Sequence, residues 1–414
     1  MESNQIEQAR FLRDRHRYEE SEAMLLVYLS ACPDSAEGHC ELALTRMSMS
    51  GRKKDALESI EKAIGLAPDN AWMQAVRSFA FCDLEKFDKA LKSADEAIAA
   101  DAMCDLAWIA KARSLGGKER WKEAEAAVRK SLEIDPNNSQ ANNLLSVYLR
   151  VQGKTQEANL FTDLQLSQDA EDPFALSNAG WTRLHESKYK EAERLFLEAL
   201  RLDPEQEYAR QGLREAYKTR SVFYRLYLKW ALFMQRFEGR SQTLIIISLF
   251  IGYKVFQSYL SEINPAFAIT LALIYMLFIF WVWLASGVGH FILLLDKRAR
   301  LSLNKQEKLD GSLVGGSFLG GLAFMLMGLI PSVSHFMGMG VSMVVSAIPL
   351  SLVALNESKI GVILFGLFGA LGISLGALTV ITYYTMGKMT DFFYISVLLA
   401  FITTWIAMIP GLRK

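Results

Sequence analysis

Hydrophobic and polar positions divide this chain near residue 241. Before that point apolar residues recur at a long fixed period among abundant charges; after it they run almost without interruption. The apolar half holds six stretches, 243–263, 265–285, 312–330, 336–355, 360–384 and 392–409. Each is long enough, or nearly so, to cross a hydrocarbon layer about 30 Å thick as an α-helix. Five crossings are the nearest alternative to six. The run that begins at Pro265 stays apolar to Leu295, more than one crossing needs. The second helix therefore either tilts steeply or turns near Ser286-Gly287 and follows the interface.

The polar half is organised by an internal repeat, the feature that most constrains a fold when present. Ala56, Ala90, Ala124, Ala158 and Ala192 stand 34 residues apart. Twelve residues after them, Pro68, Pro136 and Pro204 keep the phase, with Ala102 and Ala170 in the other two units. Three residues before each alanine, or before Ser21 in the first unit, come Tyr18, Lys53, Phe87, Trp121, Thr155 and Tyr189. A second small residue follows at Ala63, Ala97, Ser131 and Ala199, with Gln165 breaking the pattern. Small residues let two helix backbones approach, the aromatic fills the wedge beside them, and the proline stops the second helix.

This arrangement resembles the tetratricopeptide repeat family over residues 2–206, best in GWTRLHESKYKEAERLFLEALRLDP, Gly180 to Pro204. The resemblance implies an all-α chain: an N-terminal solenoid of six helix pairs (2–35, 36–70, 71–104, 105–138, 139–172 and 173–206), then a polytopic transmembrane bundle. The first unit departs from the pattern as an end cap would, and the fifth departs further, at Thr155, Gln165 and Ala170. Residues 207–240 read as a closing helix and a basic amphipathic collar. Solenoids of this family hold peptides on the concave face, and the family's usual positions there include Trp72, Phe79, Ile109, Arg113, Asn143, Arg150 and Trp181. At least one of Trp72, Phe79 and Trp181 is expected to be an exposed anchor, since aromatics dominate peptide-binding energetics. The competing reading is that all three pack between repeats. The set of basic residues and asparagine that grips a C-terminal carboxylate in some members is not evident.

Charge refines this picture. Residues 1–217 carry 29 Lys/Arg against 38 Asp/Glu, 218–240 carry 6 against 1, and 241–414 carry 10 against 6. The collar's Arg225, Lys229, Arg236 and Arg240 share a helical face, as in a helix lying on an anionic membrane surface; a cap packed on the solenoid is the alternative. Loop cations alternate with the crossings. Lys297, Arg298, Arg300, Lys305 and Lys308 follow the second, Lys359 follows the fourth, Arg413 and Lys414 end the chain, and the other side has Lys388. Both termini and the repeats are thus expected in the cytoplasm of a bacterial inner membrane. Lys254 is the one clear intramembrane ionisable residue, with Gln257, Ser258 and Ser261 on its face and Glu262 two turns on. Gly311/Gly315, Gly316/Gly320 and Gly366, Gly369, Gly372 and Gly376 read as close helix packing, with self-association left open.

Several classes of function fall away. The only basic cluster abuts an apolar segment, which excludes a nucleic-acid binder. Cys32, Cys40, Cys82 and Cys104 have no short-range pairing and read as reduced, buried thiols. The polar N-terminus lacks the pattern of a cleavable signal peptide. No phosphate loop or metal-spaced His/Cys set is present, so neither a cofactor nor a metal is expected. Ser317 in GGSFLGG, with His290 and His335 near span ends, suggests an intramembrane protease only weakly, because Phe318 follows the serine where rhomboid-type enzymes have glycine. The chain also looks like bacterial proteins that join tetratricopeptide repeats to a multispanning membrane domain, most specifically over Asp203 to Trp230. The expected function is a non-enzymatic scaffold that binds a cytoplasmic protein or peptide, contacts lipid, and fixes the partner at the membrane. The alternative is a transport or lipid-handling activity regulated by the repeats.

Overall fold

The structure is a computed structural model. It describes residues 2–297, 299–354, 356, 358–387, 392–407, 409 and 411–412, and the side chains of residues 2–4, 168, 239, 240 and 273 lie outside that description. The charges of Arg298, Lys388, Arg413 and Lys414, and the expected span end at 355, therefore fall outside it. Among the described residues every regular element is helical. The chain forms two compact units, one of residues 1–186 with 232–244 and one of residues 187–231 with 245–414.

The first unit is a run of short helices of nearly constant length: α1 (Glu2–Asp14), α2 (Tyr18–Ala31), α3 (Ala36–Met47), α4 (Lys53–Leu66), α5 (Ala71–Asp83), α6 (Phe87–Ala100), α7 (Asp105–Gly117), α8 (Trp121–Ile134), α9 (Ser139–Val151), α10 (Thr155–Gln168) and α11 (Pro173–His185). Within it Ala56, Ala90, Ala124 and Ala158 have no exposed surface at all. Any larger side chain there would push the paired helices apart, which is why the period survives in these residues. Gln165 is buried where other units have alanine or serine, and its Nε2 donates to Asn143 Oδ1 at 3.2 Å.

Two further periodic features belong to the turns. Each first helix begins at Ser35, Asn70, Cys104, Asn138 or Asp172, and four of these accept a hydrogen bond from a first-turn amide. Cys104 is the exception, since a thiol is a poor cap. The turn inside each pair needs a left-handed residue, supplied by His16, Gly51, Glu85, Glu119 and Gly153, and by Ser187 in the second unit. The next residue is always basic: Arg17, Arg52, Lys86, Arg120, Lys154 and Lys188. In three repeats of the first unit the basic residue pairs with an acid three positions on, closing over the helix start, as Arg17–Glu20, Arg52–Asp55 and Arg120–Glu123 do, whereas Lys154 reaches Glu125 instead of Glu157.

The second unit opens with α12 (Tyr189–Leu202) and α13 (Glu207–Lys218), where Phe196 packs against Gly212 with no room for a β-carbon. Then follow α14 (Val222–Met234), α15 (Gly239–Ile263), α16 (Pro265–Leu295), α17 (Lys305–Gly328), α18 (Phe336–Ser351), α19 (Lys359–Met386) and α20 (Phe392–Ile406); the boundary between units passes through α14 and α15. Among the described residues, four helices are long and apolar enough to cross a membrane by length and composition: 241–263 of α15, α16, α17 and α19. The stretches expected at 336–355 and 392–409 form apolar helices of only 16 and 15 residues. Of the two arrangements open for the second stretch, α16 passes through Ser286-Gly287 as one unbroken helix of 31 residues.

The glycines hold helices together. Gly321 on α17 and Gly340 on α18 face each other's backbone, and Gly311 lies against the His290 backbone. Gly369, Gly372 and Gly376 face Leu350, Ser346 and Ser342 of α18. Gly316 meets nothing within 4 Å, so the expected Gly316/Gly320 pair is not a close seam inside this chain. The Ser317 hydroxyl donates to the Met343 carbonyl at 2.6 Å, and His335 stacks on Tyr383 with ring centroids 4.2 Å apart. All four cysteines are free; Cys40 and Cys82 are buried as expected, but Cys32 and Cys104 are only partly so.

Candidate functional site

The seven candidate groove residues divide by burial. Ile109, Phe79 and Arg150 are buried; Arg113, Asn143 and Trp181 are half-buried; Trp72 is exposed, at 37%. Phe79 belongs to the packing between repeats, with the Arg113 guanidinium 4.8 Å from its ring centroid and Arg113 Nη2 3.3 Å from Asp83 Oδ1. Asn143 is engaged inside the solenoid, its Oδ1 accepting from Gln165 and, at 2.8 Å, from Asn178 Nδ2. Arg150 lies 5.8 Å over the Trp181 ring. The family's usual concave positions also include Gln140 and Phe174, which with Trp72 are each the second residue of a first helix. Trp72, Leu106, Gln140 and Phe174 stand 34 residues apart, and Trp72 and Phe174, at 50%, are exposed aromatics.

His185, at the end of α11, lies near two arginines. Burial and the charges of Arg150 and Arg236 push the His185 imidazole down to about 3, so it is neutral at physiological pH. Arg236 sits against the backbone of Gly153, where a β-carbon would meet its guanidinium. Among the collar residues, Arg225 is likewise engaged: Nε donates to the Thr219 carbonyl at 2.5 Å, and the guanidinium lies 5.6 Å from the centre of the Tyr189 ring. Lys229 is exposed, and the Arg240 side chain lies outside the described residues. The collar is thus not one free basic face.

Lys254 is exposed on α15, 5.8 Å over the ring of Tyr253, which stacks in turn on Tyr275 of α16 at 4.1 Å. Among the described residues no ion pair joins it to Glu262. It faces away from packed protein, not into a bundle interior.

The second unit also holds a polar cluster that no spacing in the sequence marks. His290 Nδ1 donates to Asp310 Oδ2 at 2.7 Å, and His290 Nε2 lies 4.0 Å from Glu307 Oε1. Glu307 closes a capping box on Asn304 and meets Arg214 Nε at 3.1 Å. Nearby, Glu215 pairs with Lys218 at 2.9 Å and accepts from the Tyr224 hydroxyl at 2.5 Å. Burial raises the Glu215 carboxyl pKa, but Lys218 and the Tyr224 hydroxyl more than reverse this, leaving it low; burial and Glu215 push the Tyr224 hydroxyl well above its usual range. His290, Asp310, Arg214 and Lys218 are all at least nine-tenths buried. His290 and Asp310 are 20 residues apart, and only the α16–α17 hairpin brings them together.

A family model described as tetratricopeptide repeat matches residues 80–139 and, overlapping, 109–173. Among solved structures, a thermophilic tetratricopeptide repeat protein of Thermus thermophilus is 14% identical, covering 44% of this chain and 98% of its own, with a TM-score of 0.41. PilF of Pseudomonas aeruginosa is 18% identical, covering 51% and 95%, at 0.39. A tetratricopeptide repeat protein of Parabacteroides merdae is 13% identical, covering 51% and 83%, at 0.45. No curated protein sequence matches the chain.

Proposed function

The repeat half of this chain belongs to the tetratricopeptide repeat superfamily, and from that premise we propose a membrane-anchored scaffold. Such repeats serve protein–protein interaction. In this reading the solenoid takes a cytoplasmic protein or peptide, and the apolar half spans the bacterial inner membrane and holds the partner at its surface. All six apolar helices enter the membrane in this reading, α18 and α20 as short crossings beside the four long ones, with both termini cytoplasmic. The observation that carries the binding role is the pair of exposed aromatics, Trp72 and Phe174, at equivalent positions of a rigid helical array. Large exposed rings on rigid supports are the usual anchors of a peptide.

The test is co-purification from native membranes with the full-length protein. Trp72→Ala/Phe174→Ala is expected to lose a near-stoichiometric partner while keeping its helical content and melting behaviour. Equal recovery of every partner by the variant counts against this aromatic pair. Phe79 is unsuitable for this test because its truncation opens a cavity in the solenoid core. The alternative of a transport activity draws no support from Lys254, given its place on the exposed side of α15.

A further inference from the structure

A cleft of about 760 Å³ opens in the second unit between the start of α12 and the α13–α14 junction. Five cations line it: Lys188, Lys190, Arg194, Arg220 and Arg225. Two carboxylates line it as well, and one of these, Glu193, is taken by Arg220 at 3.3 Å. Lys190 and Arg194 are exposed and have no ion pair among the described residues. The cleft is therefore built cation-rich, with two charges left over for a ligand.

Its surroundings say what kind of anion fits. Arg220 Nη1 also holds Asp296 Oδ2 at 2.7 Å, and Asp296 is the residue that ends α16, the most apolar of the long helices. The cleft thus sits at the end of a candidate membrane crossing, where lipid headgroups would lie. Apolar surface adjoins it. Leu197, 46% exposed, lines the cleft, and α14 begins just beyond Arg220 with Val222, Phe223 and Leu226 at 63%, 74% and 56%. A soluble anion has no use for that apolar rim, whereas a phosphodiester headgroup with acyl chains uses both parts. Guanidinium and ammonium donors hold phosphate oxygens through charge-assisted hydrogen bonds, and an anionic cytoplasmic leaflet concentrates the ligand at this depth.

We propose that this cleft binds the phosphodiester headgroup of an anionic lipid, with Lys190 and Arg194 as its free donors and Val222, Phe223 and Leu226 against the acyl chains. Arg225 and Arg220 position it, being already held by Thr219, Tyr189, Glu193 and Asp296. The site differs from the collar face expected from sequence and rests on the membrane placement proposed above.

The experiment reconstitutes full-length protein and its Lys190→Glu/Arg194→Glu variant into nanodiscs of phosphatidylcholine with or without phosphatidylglycerol. Lipids retained on release into detergent are then counted by native mass spectrometry. The wild type is expected to keep phosphatidylglycerol at least tenfold over phosphatidylcholine, and the variant to lose that preference with its thermal melt unchanged. A Lys190→Arg/Arg194→Lys control should retain it. Equal lipid selectivity in wild type and charge-reversed protein overturns the site. So does displacement of the lipid by millimolar inorganic phosphate or by an acidic peptide, which would make the cleft a soluble-anion or protein dock. Failure of the wild type to enter nanodiscs at all would instead remove the membrane reading on which the site rests.

Discussion

At the scale of single residues, the five left-handed turns of the first unit carry backbone strain that the chain has relieved in only two places. Gly51 and Gly153 take the left-handed conformation without cost, whereas His16, Glu85 and Glu119 hold a β-carbon in it. That conformation costs an L-residue about 1 kcal/mol or more. Glu85→Gly should therefore stabilise the repeat half by about 0.5–1 kcal/mol, partly offset by the freer unfolded chain. Gly51→Ala should destabilise it by about 1 kcal/mol. The latter is a clean reading of backbone preference, because nothing lies within 4 Å of a β-carbon there. Denaturant midpoints of the two variants moving in the same direction would refute the assignment. His185 gives a pH dependence with a definite sign. Its folded value of about 3 lies below its ordinary 6.5, so between those values the unfolded chain binds a proton that the folded chain refuses. The contribution is intact above pH 6.5 and is lost progressively as pH falls toward 3. Going from pH 7.5 to 5, wild type should lose about 1 kcal/mol more than His185→Gln, a value reduced for partial solvent screening. Parallel pH profiles for the two proteins would show that His185 titrates normally. Neither the turn strain nor this depression was legible beforehand: the first needs backbone angles, and the second needs two arginines brought in from elsewhere in the chain.

At the scale of elements, the helices themselves were largely legible, because alanines spaced 34 residues apart mark each crossing directly. The pairings between elements were not. His290, Glu307 and Asp310 look in sequence like three polar residues flanking an apolar run, and the α16–α17 hairpin folds them into one buried group joined to α13 through Arg214. Such a group costs most when broken from one side. Asp310→Ala should destabilise the full-length protein by about 3 kcal/mol, because it leaves His290 buried without its acceptor. His290→Leu/Asp310→Leu should recover part of that loss by removing both polar groups. A double-mutant cycle on the melting of detergent-solubilised protein measures the coupling, and additive effects would mean that the contact at 2.7 Å contributes little. The collar shows the same limit. Its cations fall on one face only if the helix runs on to residue 240, but α14 ends at Met234, and Arg225 and Arg236 are turned to Tyr189 and Gly153 by neighbours that no local period reveals.

At the scale of the whole molecule, the proposed placement in the membrane makes a prediction about sidedness. Asn264→Cys, between α15 and α16, should react with a membrane-impermeant maleimide in intact spheroplasts above the wild-type background. Ser302→Cys, between α16 and α17, should react only after permeabilisation. The reverse pattern would invert the molecule and put the repeats outside. What the sequence alone determined is the division of the chain: a periodic helical solenoid, because small residues must recur wherever helices cross, and an apolar half whose stretches are long and carry few charges. What only the tertiary structure decided is which side chains remain available. Phe79 and Ile109 went into the repeat core while Trp72 and Phe174 stayed outside. Lys254 went to an exposed face, and five cations from two separated stretches of chain gathered in one cleft. The physical reason is that a repeat period is a local property, repeated wherever the same crossing is made, whereas exposure and charge pairing are sums over neighbours distant in sequence.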